Sequence, residues 1–199
     1  MKYELTDETI DVSGTTLHRI KALKDFGNVK KGELGGYVES EYNLSQIGNC
    51  WVYGNARVCG DAELCGNAKV CGNARVCGNA EVCGNAWVYG NAEVCGNAKV
   101  CGDAELCGNA WVYGNAELCG NARVYGNADY ITIKGLGSRY RDTTIFKTRN
   151  EDVVVRCGCF YGTLTEFVNE VGITHGDSKY AKEYLALVEL AKIHFGIEK

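Results

Sequence analysis

Twelve cysteines, three histidines and one short basic run are the side chains of this 199-residue chain that could do chemistry. Nine of the cysteines recur in a single phrase, x-Val/Leu-Cys-Gly-Asn/Asp-Ala, between residues 51 and 128. Thiols at such density could form disulfides, ligate metal or act as nucleophiles. Residues 1–30 contain no apolar run of signal-peptide length, so the expectation is reduced thiols in a cytosol. Reactivity requires a neighbour that favours the thiolate, and each repeated cysteine stands beside copies of itself without an evident His or basic partner. They are therefore expected to be free packing residues on an outer surface. Cys157 and Cys159 together with His175 would supply three zinc ligands. Their C-x-C spacing is tighter than usual and a fourth ligand is missing, so the pair reads as alternating strand residues. His18, His175 and His194 all lie outside the repeated region, which leaves acyl transfer without a general base there. No metal, no cofactor and no catalytic set is expected.

The basic run is more suggestive. Lys134, Arg139, Arg141, Lys147 and Arg149 face one acid, Asp142, with Tyr140 and Phe146 interleaved. Guanidinium, aromatic and glycine side by side suit a small anionic, ring-bearing ligand such as a nucleotide. The other reading is a solvated hairpin, since residues 129–199 hold ten basic and ten acidic groups in all.

The elements that would position these groups follow from the period. Six residues match no helical face, but as a multiple of two they keep Val and Ala on constant sides of a strand. Thirteen strict hexads run from Trp51 to Ala128, and "ELGGYV", "ESEYNL" and "SQIGNC" extend the phase backwards with Val38, Leu44 and Cys50 at the Ala position. The expected fold is mainly β: a left-handed parallel β-helix over residues 33–128, of 18-residue triangular coils, about five in number and roughly 25 Å long. An N-terminal β cap (1–32) would contain a hairpin around Ser13-Gly14. A C-terminal α+β module (129–199) would hold a hairpin, a further strand and two helices. The first helix is opened by Thr163 and Glu166 and runs to about Val171, the second starts near Asp177 or Ser178 and ends at Gly196.

Stacking every 18 residues places Tyr53, Cys71, Tyr89, Cys107 and Tyr125 on a first wall. Cys59, Cys77, Cys95 and Tyr113 fall on a second, and Cys65, Cys83, Cys101 and Cys119 on a third. Opposite charges coincide in Arg75 over Glu93, in Glu81, Lys99 and Glu117, and in Glu105 over Arg123. Trp51, Tyr53, Trp87, Tyr89, Trp111, Tyr113 and Tyr125 form an aromatic surface expected to mediate homo-oligomerisation. The repeated region carries 5 basic and 7 acidic residues, which excludes a duplex nucleic-acid groove. No segment is long and apolar enough for a membrane span.

The G-N-A-x-V array resembles hexapeptide-repeat β-helix proteins, whose best-known members are acyltransferases. "LHRIKALKDFGNVKKGELGGYVESEYNLSQIGNCWVYGNA" and "CGCFYGTLTEFVNEVGITHGDSKYAKEYL" are similar to hexapeptide-repeat proteins encoded by phages and prophages of gut bacteria. That resemblance implies the fold, a trimer by superfamily habit, and a bacterial-cytosol setting. Joined to the basic run, it points to a non-enzymatic, self-assembling protein that binds a partner or sequesters a host nucleotide signal. A purely structural or adaptor role is the competing class, and an acyltransferase the third.

Overall fold

A computed structural model describes residues 1–197. Three parallel walls form from two-residue rungs. The first wall stacks Trp51–Val52, Lys69–Val70, Trp87–Val88, Glu105–Leu106 and Arg123–Val124. The second stacks Leu34–Val38, Arg57–Val58, Arg75–Val76, Glu93–Val94 and Trp111–Val112. The third stacks Glu63–Leu64, Glu81–Val82, Lys99–Val100 and Glu117–Leu118. The result is a hexapeptide-repeat β-solenoid of about five coils.

Every repeated Val and Leu is buried, as is every repeated Ala up to Ala122, and so are Val38, Leu44 and Cys50 in the Ala phase; the last Ala, Ala128, is exposed where the solenoid ends. The corner between rungs needs a left-handed residue, and glycine provides it. Gly84, at φ +69°, has Gly102 of the next coil so close that a Cβ would stand 2.8 Å from its backbone nitrogen. The following Asn completes the corner by donating from its amide to the Asn or Asp one coil on. Asn49, Asn67, Asn85 and Asp103 form one such ladder. Asn79, Asn97 and Asn115 form another, which Asn115 extends by donating to Asp142 of the C-terminal strands.

The charge columns are only partly as expected. Lys99 Nζ lies 2.6 Å from Glu81, and Arg75 reaches Glu93 at 3.6 Å. Arg123 does stack on Glu105 in register, yet Glu105 pairs with Arg149 at 3.4 Å and accepts from Tyr89 Oη at 2.8 Å. Arg123 turns instead onto the Tyr125 ring. Arg57 stacks on Arg75 and Glu63 on Glu81, so like charges are tolerated. Inward Val and Ala packing therefore sets the register, and surface charge follows it.

At the N-terminal end the strands Tyr3–Val12 and Thr15–Ala22 form a hairpin through Ser13 (φ 55°) and Gly14 (φ 84°). The hairpin prolongs the second wall through Leu34–Val38, which pairs antiparallel on one side and parallel on the other. Its Tyr3 and Ile20, with Val29 of the loop that follows, join the solenoid core. Lys2 is buried beside them, with Nζ donating to Cys50 O at 2.9 Å and lying 5.1 Å from the Phe26 ring centre. Burial lowers the Lys2 pKa, and contact with Cys50 opposes that shift.

This end overturns one expectation. Trp51 is no oligomer contact: it is fully buried, edge-on to Tyr3 and Phe26, with Tyr53 partly buried beside it. Residues distant in sequence fold back over the first rung, which a column argument confined to the hexads does not register.

At the other end four antiparallel strands follow one another: Tyr130–Leu136, Arg141–Lys147, Val153–Cys157 and Phe160–Thr163. Helices α1 (Leu164–His175) and α2 (Lys179–Phe195) pack on one face. The capping box of α1 is present, with Glu166 N–H donating to Thr163 Oγ1 and Thr163 N–H to Glu166 Oε2. The helix continues four residues beyond Val171, because only Gly176 at φ 54° stops it. Cys159 is not a strand residue. It forms a tight turn with Gly158, between paired Cys157 and Phe160. The other face of the sheet docks on the solenoid through Tyr130, Phe146 and Val154, which belong to the solenoid core. Among the described residues, no helix is long and apolar enough to cross a membrane.

Candidate functional site

The basic residues of the C-terminal strands separate into two groups. The strand Arg141–Lys147 runs from the turn before it to the solenoid end, which puts its termini roughly 20 Å apart at about 3.3 Å per residue. At the solenoid end Lys147 pairs with Asp129 at 3.1 Å and Arg149 with Glu105. Phe146 is fully buried there. The expectation that Phe146, Lys147 and Arg149 face a ligand is therefore wrong: they hold the C-terminal sheet to the solenoid. Lys134 is exposed on its strand. Tyr140 is also exposed, held at φ 50° by the turn that closes on Gly137.

Arg139 and Arg141 remain. They stand at the rim of a cleft of about 230 Å³ between this turn, the Gly158-Cys159 turn and both helices. The cleft has an aromatic floor, built upward from α2. Tyr184 is buried and contacts Phe167 edge-on at 5.4 Å, while Phe167 lies 5.2 Å from Phe160. His175 stacks on Tyr184 at 5.6 Å, a contact that exists because α1 runs to its last turn. Tyr184 Oη donates to Leu136 O at 3.3 Å, and Glu183 accepts from Gly137 N–H at 3.0 Å, so α2 holds the turn in place. A side chain at Gly137 would collide with the Tyr184 hydroxyl. Burial first, and then Cys157, push the Tyr184 phenol well above its ordinary pKa; it is a neutral donor. Cys157 is buried and accepts from Thr143 Oγ1 at 3.2 Å.

Thus the structure brings Cys157, Cys159 and His175 to one cleft along with Arg139 and Arg141. Among the described residues no three His, Cys, Asp or Glu side chains converge on a point that could hold a metal ion. Phe160, Phe167, Glu170 and Tyr184 were missed as site residues. The apolar face of α2, with Tyr184 in it, was the visible signal. What that face packed against was not visible.

Of the three histidines, His18 Nδ1 lies 3.3 Å from Thr6 O and His194 Nε2 3.0 Å from Ala128 O, both off the rungs. The aromatic surface is exposed at Trp87, Trp111, Tyr113 and Tyr125, while Tyr89 is half-buried. Trp87 and Trp111 each donate from the indole N–H to a cysteine of a preceding coil, Cys71 and Cys95, at 3.2 Å.

The repeated cysteines are free and half-buried on the outer walls, except for buried Cys107. Their surroundings differ from expectation. The thiols do have basic neighbours: Arg75 acts on Cys59 and Cys77, and Arg156 on Cys101 and Cys119. A hydrogen bond from Cys77 brings Cys59 down to about 7 against the opposing effect of burial, with Arg75 assisting, while Cys77 is pushed up.

No protein-family model matches the chain. It is similar to an uncharacterized acetyltransferase, YdcK, of Escherichia coli (strain K12), being 38% identical over 60 residues. The match takes in 26% of this chain and 18% of that protein, so the chain spans less than a fifth of the relative's length. With the walls described above, it fits a hexapeptide-repeat β-helix.

Proposed function

We propose that this is a non-enzymatic, phage-type β-helix protein that assembles with itself in a bacterial cytosol and binds a small anionic ligand in the C-terminal cleft. One observation carries the reading. Among the described residues neither Arg139 nor Arg141 has an ion-pair partner, whereas Arg123, Lys147, Arg149 and Arg156 all pair with acids. Two unneutralised guanidiniums over an aromatic floor favour an anion with a flat ring. Pockets for drug-sized ligands start at about 300 Å³, so the ligand is small: one ring with one phosphate or carboxylate. Sequestration of a host nucleotide signal then means a nucleotide that leaves part of itself outside the cleft. The assembly is a trimer through the exposed Trp87, Trp111, Tyr113 and Tyr125.

The test is calorimetry with nucleoside monophosphates and aromatic carboxylates against the parent protein and Arg139→Ala/Arg141→Ala. Each charge-assisted hydrogen bond contributes about 1.5–3 kcal/mol, so the double variant should lose at least a hundredfold in affinity. Equal binding by the two proteins, or no binding better than millimolar by the parent, refutes the reading.

A second reading rests on the similarity to the E. coli protein: acetyl transfer. It predicts acetyl-coenzyme A binding that survives the double variant, together with turnover on an acceptor amine or hydroxyl. Without a histidine on the rungs, His175 would have to be the base.

A further inference from the structure

The cysteines absorbed by neither reading are those of the solenoid walls. The third wall carries Cys65, Cys83, Cys101 and Cys119 on four successive rungs, and the second carries Cys59, Cys77 and Cys95 on three. Within these columns Cys59 and Cys77, Cys65 and Cys83, and Cys101 and Cys119 follow paired residues of adjacent parallel rungs, so each pair is stacked one rung apart. The first wall is built differently. There Tyr89 separates Cys71 from Cys107, leaving each thiol without a sulfur neighbour.

Rung spacing decides what such a column can do. Parallel strands lie about 4.8 Å apart, whereas a disulfide needs Cβ atoms about 3.5–4.5 Å apart, so oxidation of neighbours would strain the coil. Thiolate–zinc bonds are about 2.3 Å long, and a linear sulfur–metal–sulfur bridge of that bond length spans about 4.6 Å. That span matches one rung. Zinc itself requires four ligands, and the described residues offer no convergent set of even three. Soft monovalent ions accept two thiolates, and thiolate selects them.

We propose that the cysteine columns bind soft monovalent cations, copper(I) or silver(I), each held linearly between two cysteines of successive rungs. Binding one ion releases two protons: two thiols and one M⁺ give a bis-thiolate complex of charge −1. Arg75 stands next to the Cys59–Cys77 pair, Arg156 next to Cys101–Cys119, and Lys99 next to Cys83, where each offsets that charge. Glu93, Glu117 and Glu81 already share these cations and face the same columns. Three non-overlapping pairs exist: Cys59–Cys77, Cys65–Cys83 and Cys101–Cys119. Cys95 accepts from the Trp111 indole and competes only for Cys77.

The test uses silver(I) and the whole reduced protein without oxygen, in the presence of excess monothiol competitor, with bound ions counted by native mass spectrometry. The parent should retain three ions, Cys101→Ser/Cys119→Ser two, and Cys71→Ser/Cys107→Ser three. Circular dichroism checks that each variant is folded. If the Cys101/Cys119 variant does not fold, Cys65→Ser/Cys83→Ser provides the same subtraction. Loss of all ions to the competitor, or equal losses from the Cys71/Cys107 and Cys101/Cys119 variants, overturns the proposal.

Discussion

Replacing Gly84 by alanine isolates what the close stacking of coils costs. Gly84 and Gly114 have nearly the same backbone, at φ +69° and +70°. An alanine at either pays for the left-handed conformation, about 1–2 kcal/mol. Beyond that the two positions differ. At Gly114 a Cβ meets nothing within 4 Å, while at Gly84 it would stand 2.8 Å from Gly102 N and 2.9 Å from Gly102 O. Those atoms belong to the next coil, so the coils must part. The hydrogen bonds flanking the corner, Asn85 N to Gly102 O at 2.7 Å and Cys83 N to Val100 O at 2.9 Å, would stretch. Two net backbone hydrogen bonds are worth about 1–3 kcal/mol together, which brings Gly84→Ala to about 2–5 kcal/mol against 1–2 for Gly114→Ala. In a chain of this size 1 kcal/mol moves the midpoint by about 2–4 °C. Gly114→Ala should then lower it by about 2–8 °C and Gly84→Ala by roughly twice as much, read by thermal unfolding followed by circular dichroism. Equal shifts would refute the reasoning, since only the stacked neighbour distinguishes the sites.

Phe146→Ala should destabilise by about 3–5 kcal/mol, as for other fully buried aromatics, yet leave anion affinity in the cleft unchanged; reduced affinity in folded protein would return Phe146 to the site. Burial works against ionisation of Asp129, but hydrogen bonds from Tyr125 N–H and Lys147 outweigh it and hold the carboxyl below its usual range. Its contribution is present above the unfolded carboxylate pKa and lost as pH falls through the folded value. The destabilisation caused by Asp129→Asn should therefore shrink in acid, as denaturant titrations at neutral and acid pH can show. Trp87→Lys and Trp111→Lys should each lower the assembly state seen by light scattering, whereas Trp51→Phe should not, because Trp51 lies beneath Tyr3 and Phe26.

The solenoid was legible because its determinants are local and repeated. Val82 and Ala86 point inward for the same reason as every other copy, and even Cys50 could be placed from its phase. The ends were less so. Trp51 reads as a surface residue until Tyr3 and Phe26 fold over it. Thr143, Thr144, Ile145 and Phe146 are buried on both sides of their strand, with Ile145 toward the helices and Phe146 toward the solenoid. Charge counting treated that strand as one patch, although its two termini serve different neighbours. The unalternating "TTIF" was the available hint. Cys157, Cys159 and His175 could be grouped from residue type, but the arginines they share a cleft with were assigned to another group. Only the packing of two helices against a turn unites them.

Because each coil offers the same surface above and below, the length of this chain is not dictated by its interior. Gaining or losing a block of three hexads would leave every remaining inward Val or Leu above a Val or Leu and every corner Gly above a Gly. Copy number is thus a variable that recombination between near-identical repeats could change while the inward Val/Leu and Ala columns stay in phase. A single hexad is another matter. It would turn the C-terminal helices a third of a revolution about the solenoid axis relative to the N-terminal hairpin, so hexad count works as an angular setting between the two ends.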